Sequence, residues 1–328
     1  MVNLSGTGVI NTNTNPSGSN FYGGMDLGTG SGTETVGGSP VFYPGTGTMN
    51  QTGGTFDIGR TVYVGQSSTG IYNMSGGTIN SFDSSRHFWI GEDASGTLNV
   101  SGGTANLANV EVGSDNGNTA NTPNGLMVVS GGTVNMDSLA VGNPDNVGTG
   151  TLRITGSGGS ATTVNMTSYA NAVLDFQIGS SGVSDIAVNN PNSTTDGRAI
   201  TNLSGILELD LLSGFTPTHG QSFTLLTTDN TGTTDPTTHI AYAGIVTANV
   251  TYNNGFYNVT NTGLSLAPAD TADWSWAVDP ISSGSNITGY QLVATYIGQT
   301  SIPEPATLGL MAMGGLGILL LGRKRKPA

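Results

Sequence analysis

The chain has no cysteine and very few basic residues outside its last positions. Only eight of its 328 residues are Lys or Arg, and four of these lie at the C-terminus. The part up to residue 302 contains no Lys and sets four Arg against 20 acidic residues, a formal charge of −16. Disulfides, thiol catalysis and Cys-ligated zinc are therefore excluded. Nucleic-acid binding is not expected, because it depends on Lys and Arg that neutralise phosphates.

Charged helix formers are also scarce, since Asp, Glu, Lys and Arg make up only 9% of the chain. Long surface helices usually contain many Glu, Lys and Arg residues. Glycine (52 residues) and proline (13 residues) together form about a fifth of the chain, below the roughly 25–30% that indicates disorder. The composition therefore predicts an ordered protein of short strands joined by many turns.

The first residues do not contain an export sequence. Residues 1–6 have neither the basic region nor the apolar region of a signal peptide. We expect a truncated chain or a misplaced start, and favour truncation because the other end of the chain indicates export.

A Gly-Gly-Thr triplet recurs in the first half of the chain. It occurs at residues 53–55, 76–78, 102–104 and 131–133, with a looser copy, Gly-Gly-Ser, at 158–160. The intervals are 23, 26, 29 and 27 residues. Regular intervals of this length are typical of proteins built from stacked repeats.

Short alternating segments flank each triplet. The segment before it carries two apolar columns, spaced by two residues: Tyr72, Leu98, Met127 and Leu152, then Met74, Val100, Val129 and Ile154. The segment after it has one apolar residue between polar ones, as in Thr78-Ile79-Asn80 and Thr163-Val164-Asn165. A third segment again alternates, as in Phe88-Trp89-Ile90 and Val110-Glu111-Val112. Residues two apart lie on one face of a strand, so each repeat reads as three short strands.

Such a repeat buries its apolar face only when it is stacked on its neighbours. The sequence therefore predicts a right-handed parallel β-solenoid, with a β-sandwich of hairpin repeats as the alternative. Glycines would supply positive φ at the corners. An outward ladder of stacked amides is expected from Asn80, Asn106, Asn135 and Asn165.

The Gly-Gly-Thr pattern stops after about Tyr169, while strand-like segments continue. In one of them Ile206, Glu208 and Asp210 alternate with leucines, which indicates a half-buried strand with one polar face. We expect a smaller β-sandwich or a capping β-region here. The predicted division is 1–169 for the β-solenoid, 170–300 for the β-rich C-terminal region and 301–328 for the tail.

The tail has the features of a membrane segment. Residues 306–321 carry no charge and would form a helix of about 24 Å. A basic cluster follows, and its position after an apolar run predicts a stop signal with the basic end in the cytoplasm: Arg323, Lys324, Arg325 and Lys326. A buried C-terminal helix is the alternative.

A Pro-Glu-Pro triplet, Pro303, Glu304 and Pro305, comes directly before the apolar segment. Triplet, apolar segment and basic end together resemble the PEP-CTERM sorting signal. The resemblance implies export in a Gram-negative bacterium that secretes polysaccharide, transient anchoring in the inner membrane and recognition by an exosortase, a membrane-embedded transpeptidase. The Gly-Gly-Thr repeats also resemble those of autotransporter-associated surface proteins. An autotransporter-like passenger is an alternative, although a single predicted helix ends the chain where a barrel would be needed.

The sequence contains one cluster of candidate catalytic residues. His87 lies near Asp83, Arg86, Glu92 and Asp93 in the sequence. The sequence around the other histidines, His219 and His239, contains fewer charged residues. Because many β-helix proteins cleave polysaccharides, a lyase or hydrolase is the alternative function. A solvated loop is the favoured interpretation, since lyases need basic residues to stabilise an enolate.

Two further patterns leave their alternatives open. Acids recur after the third segment and indicate either solvated loops or calcium sites: Glu92, Asp93, Asp115 and Asp145. Trp274 and Trp276 share one strand face and indicate either core packing or sugar stacking. We expect no cofactor. The favoured function is a non-catalytic structural or adhesive protein of the cell surface or extracellular matrix, with extracellular polysaccharide as a partner.

Overall fold

The structure is a computed structural model, and it describes residues 1–7, 9–11, 25–27, 34–36, 39–41, 46–59, 61–81, 87–114, 122–189, 200–229, 244–246, 248–253, 256–284 and 286–298. Within these ranges the chain forms 24 strands and no helix. Twenty strands belong to one mixed sheet, and the other four form two hairpins. The all-β prediction is confirmed. The predicted transmembrane helix lies outside these ranges, and none of the described residues forms a helix able to cross a membrane.

The first strands are β1 (Val2–Leu4), β2 (Val9–Asn11), β3 (Met25–Leu27), β4 (Glu34–Val36), β5 (Ser39–Val41), β6 (Gly47–Ile58), β7 (Val62–Val64), β8 (Gly70–Ser81) and β9 (His87–Ile90). The next are β10 (Ser95–Val112), β11 (Asn124–Val141), β12 (Thr149–Thr155), β13 (Gly159–Ser168), β14 (Ala172–Ile178), β15 (Ile186–Val188) and β16 (Ile200–Asn202). The last are β17 (Gly205–Leu211), β18 (Ser222–Asp229), β19 (Gly244–Val246), β20 (Ala248–Asn253), β21 (Phe256–Thr262), β22 (Leu264–Leu266), β23 (Trp274–Ser283) and β24 (Asn286–Tyr296).

Strands of consecutive repeats pair in parallel and in register. In β10, Leu98 pairs with Tyr72 of β8 on one side and with Met127 of β11 on the other. The looser triplet keeps this register, because Gly159 pairs with Gly132. Adjacent strands lie about 4.8 Å apart, so equivalent residues of consecutive repeats stack directly on one another.

The predicted inward columns form the core. Both columns before the triplets are at most 1% exposed, and the residues between them face outward and are half-buried. The third segment alternates in the same way, with Phe88 and Ile90 buried on either side of Trp89. The first column continues through Leu174 and Leu207. Burial of each large side chain contributes roughly 1.5–3 kcal/mol, so repetition of the pattern supplies the stability.

The second glycine of each Gly-Gly-Thr triplet lies at an irregularity within one long strand, where the register with the neighbouring repeat shifts. Gly77 and Gly103 have φ of 85° and 84°, a region that only glycine adopts readily. A Cβ on Gly103 would also lie 2.6 Å from the carbonyl oxygen of Gly77 in the preceding repeat. Both the positive φ and the stacking distance therefore require glycine, which explains why the triplet repeats.

An outward amide ladder exists, with one change from the prediction. Asn135 donates to Asn106, and Asn106 donates to Asn80, each over 2.9 Å. The prediction for Asn165 was wrong, because β13 is displaced by three residues from the sequence alignment, and Thr162 occupies the ladder position beside Asn135. The buried residue of this repeat is accordingly Ala161, not Val164.

The core also holds one polar pair. Gln51 is fully buried and occupies the column of Met74. The hydroxyl of Tyr72 donates to Gln51 Oε1 over 2.6 Å, while Gln51 Nε2 donates to the carbonyl of Thr78 over 3.0 Å. Burial raises the pKa of the Tyr72 phenol. The pair is satisfied internally, as a buried polar group must be.

Parallel pairing continues beyond Tyr169, where the Gly-Gly-Thr pattern ends. β14 pairs with β12, β17 with β14, and β22 with β17, all in parallel. The pairing becomes antiparallel at β18–β24 and β24–β23. The alternation predicted for β17 holds as far as Leu209, which is buried, but Leu211 is exposed. The division at 169 and 300 stays a prediction.

Candidate functional site

The residues predicted to direct sorting and anchoring lie outside the described part of the chain: Pro303, Glu304, Pro305, Arg323, Lys324, Arg325 and Lys326. The geometry of a candidate site therefore comes from the surface of the β body.

Three aromatic rings lie together on the outer side of the third strand of the repeats. Tyr63 of β7 pairs in register with Trp89 of β9, and His87 precedes Trp89 by two residues on the same side. The Trp89 ring centroid lies 4.8 Å from that of Tyr63 and 5.1 Å from that of His87. The planes of His87 and Trp89 differ by only 25°. We call Tyr63, His87, Trp89 and Glu111 the outer aromatic patch.

Glu111 of β10 completes the outer aromatic patch, because it pairs in register with Trp89. Its Oε1 lies 2.5 Å from His87 Nδ1, so the carboxylate accepts a hydrogen bond from the imidazole. All four side chains of the patch are half-buried. The three half-buried rings overlap in part, because the Tyr63 plane is tilted by 47° and the His87 plane by 25° from that of Trp89. The patch is therefore a stepped aromatic surface with a carboxylate at its edge.

The predicted cluster around His87 does not form as expected. Asp83 and Arg86 lie outside the described residues. Glu92 is 1% exposed. It follows the C-terminal end of β9, whereas His87 begins that strand, and each strand residue between them adds about 3.3 Å to their separation. Glu111, which was not predicted, is the acidic partner. The repeat alignment contained this information, because it places Glu111 in the same position as Trp89 in the next repeat.

A groove of about 370 Å³, lined by Leu107, Met136 and Val164 as well as by polar side chains, lies between the second and third segments of the repeats. Its walls include two amides of the ladder, Asn106 and Asn135, together with Asp137, Thr162 and Asn189. This volume is in the range of small-ligand sites. The walls supply hydrogen-bond donors and acceptors, but none of these side chains combines a nucleophile with a base.

Carboxylates gather in the later part of the body. Asp175 is fully buried and accepts a bond from Arg153 Nε over 2.5 Å. Glu208 pairs in register with Asp175, and Asp270 accepts a bond from the Leu209 amide over 2.9 Å. Burial and neighbouring carboxylates raise the pKa of Asp175, Glu208 and Asp270. Asp175 and Asp270 thus have structural partners, while Glu208 is the partly exposed member.

The remaining predicted residues fall in different places. Trp274 is 3% exposed and packs against Phe223 and Tyr296, so it belongs to the core, while Trp276 is half-buried. His219 and Asp145 are exposed, and His239 and Asp115 lie outside the described residues. In the part of the chain that the structure describes, no three acidic or His side chains converge as metal ligands.

Sequence comparison identifies the tail. A model of the PEP-CTERM protein-sorting motif matches residues 301–326, which include the Pro-Glu-Pro triplet, the apolar segment and most of the basic end. No curated protein matches the chain. The motif implies an exported protein of the cell envelope that is processed by an exosortase membrane enzyme.

Proposed function

We propose that this exported chain, with its PEP-CTERM motif, is a non-catalytic protein of the cell surface or extracellular matrix of a Gram-negative bacterium. Its role is structural or adhesive, and its matrix partner is extracellular polysaccharide. Its body is a right-handed parallel β-solenoid, akin to the repeats of autotransporter-associated surface proteins. The parallel in-register pairing of consecutive repeats supports this architecture.

The observation that carries the proposal is the motif at residues 301–326. In this proposal residues 306–321 form a temporary inner-membrane helix, and the basic cluster stays in the cytoplasm. Pro303 and Pro305 hold the preceding segment extended and remove two backbone donors, which leaves it open to the transpeptidase. The mature protein then ends near Ile302.

The mass of the protein recovered from its host tests this proposal. We expect the surface form to lack about two dozen C-terminal residues, in line with the short extent of the motif. Glu304→Ala should trap the full-length form in the inner membrane, whereas Ser301→Ala, just outside the triplet, should be processed normally. An intact C-terminus ending in Arg-Lys-Arg-Lys-Pro-Ala on surface protein, in a host with an exosortase, would contradict it.

A polysaccharide lyase or hydrolase is the second candidate, and one observation favours it. Glu208 has a raised pKa and lies two residues from the exposed Asp210 on the outer face of β17, and glycosidases use a pair of carboxyl groups. The proposal of a non-catalytic protein predicts no release of reducing or unsaturated ends from host polysaccharide. Release that Glu208→Gln abolishes would establish the enzyme instead.

A further inference from the structure

We propose that the outer aromatic patch binds the pyranose rings of an uncharged polysaccharide. This inference rests on the proposed function, since it names the site through which the protein would hold its matrix partner. It also locates that site in the first half of the body, far along the chain from the sorting tail.

The patch departs from the pattern of its own sheet. In the row of Tyr63 and Trp89, the equivalent residues of the following repeats are Glu111, Ala140 and Thr167. Core packing does not explain the two rings, because Phe88 and the other inward residues already fill the interior.

The indole N–H of Trp89 is a further anomaly. It is shielded from solvent and has no hydrogen-bond acceptor among the described residues. A buried donor without a partner costs free energy that a phenyl ring would avoid. Stability alone would therefore not favour tryptophan at position 89. The property that tryptophan adds there is its large aromatic ring.

The chemistry of the patch suits a sugar ring. Aromatic faces carry negative charge density and attract the weakly positive C–H groups of an apolar face. The centroid distances of 4.8 and 5.1 Å keep the Tyr63 and His87 rings within about 10 Å of each other, so the three rings form one compact patch. At the edge, His87 Nε2 has no partner among the described residues, and the Glu111 carboxylate can accept further bonds from hydroxyl groups.

Charge selects among polysaccharides. The body up to residue 302 carries a formal charge of −16 and has no Lys, and Glu111 adds a carboxylate inside the patch. Within a Debye length of about 8–10 Å this field repels uronates and sulfated sugars. The ligand is therefore an uncharged polymer, for which stacking and hydroxyl contacts suffice.

Affinity electrophoresis of the full chain in mild detergent tests the inference, with hydroxyethylcellulose, galactomannan and alginate as the embedded polymers. We expect retardation by at least one of the two uncharged polymers and none by alginate. Trp89→Ala should weaken binding about tenfold or more, as loss of a central aromatic contact does, while Trp89→Phe should retain most of it. Trp276→Ala removes the half-buried tryptophan of β23 and should bind like the wild type.

Three results would overturn the inference: unchanged binding by Trp89→Ala, preference for alginate, or no retardation of the wild type by either uncharged polymer. Circular dichroism of each variant shows whether lost binding reflects lost fold, and Trp89→Phe provides a conservative variant if the alanine protein does not fold. Trp89→Ala should still be exported and trimmed. Failure of binding with normal trimming refutes only this inference, whereas failure of trimming in the wild type refutes the proposed function.

Discussion

The repeat region, residues 47–168, and the later region, residues 172–296, share one core but differ on their outer faces. In the repeat region the outer side of the first strands carries amides: Asn73 donates to Asn50 and Asn99 donates to Asn73, over 2.9 and 2.8 Å. Further along this column Val128 follows Asn99, and the register then brings Arg153 beside Asp175 and Asp175 beside Glu208. Charged groups therefore replace the amides of the same column.

The difference shows which side chains can recur at the same position of stacked repeats. An amide both donates and accepts, so identical residues in consecutive repeats bond to one another. Identical carboxylates at the same spacing repel. A charged column must therefore alternate or be buried against a partner, as Asp175 is against Arg153. The amide column ends at Val128, and charged side chains follow from Arg153 onward, although the inward leucines continue.

The largest expected effect tests whether the two sides of one strand differ as described. Val129 is 1% exposed, while its neighbour Val128 faces outward beside Arg153. Val129→Asp should unfold the body, with a loss of about 4 kcal/mol or more, because it buries an unpaired charge. Val128→Asp places the same charge next to a guanidinium and should be close to neutral. Chemical denaturation measures both, and equal losses would refute the assignment of faces.

The next effect concerns the polar pair inside the repeat region. Tyr72→Phe removes the donor to Gln51 Oε1 and leaves a buried acceptor without that partner, so a loss of about 1–3 kcal/mol is expected. Adding Gln51→Met, which copies Met74 in the next repeat, should recover part of this loss. A double variant no more stable than Tyr72→Phe would show that the pair is not the cause.

A smaller effect measures the ladder itself. Asn106 donates to Asn80 and accepts from Asn135. Asn106→Asp therefore keeps the bond from Asn135 but places a carboxylate oxygen next to the amide oxygen of Asn80. We expect a loss of about 1 kcal/mol. Asn165→Asp makes the same change outside the ladder position and should cost less. The opposite order in thermal melts would favour the alignment taken from sequence alone.

The smallest effect is the pH dependence of the later region. The raised pKa of Glu208 means that its contribution to stability is complete below the ordinary value of 4.5 and is lost as pH rises through the folded-state value. Glu208→Gln should match the wild type near pH 4 and melt roughly 1–2 °C higher at pH 7. Asp145→Asn, at an exposed turn, should not change the difference between the two pH values. A Gln variant less stable at pH 7 would contradict the cause given for the shift.

Much of the fold could be predicted because the repeats can be aligned with one another within the same chain. The inward columns, the glycines of positive φ and the amide ladder each follow from aligning one repeat on the next. The alignment failed at Asn165 because it matched Thr163-Val164-Asn165 to Thr133-Val134-Asn135, whereas the structure pairs the latter residues with Ser160, Ala161 and Thr162, directly after Gly159. Glu111 could not be recognised as the partner of His87 from nearby positions, because the two residues are 24 positions apart and meet only through the pairing of adjacent repeats.

The sequence by itself determined the all-β class, the inward faces and the sorting motif of the tail. These follow from local periodicity and from a contiguous motif, which need no knowledge of distant contacts. Only the tertiary structure decided which outward residues meet: the rings of Tyr63 and Trp89, the His87–Glu111 pair and the Asp175–Arg153 pair. The physical reason is that lateral neighbours in a parallel stack are separated by one repeat of variable length, so their contacts depend on register across every intervening turn.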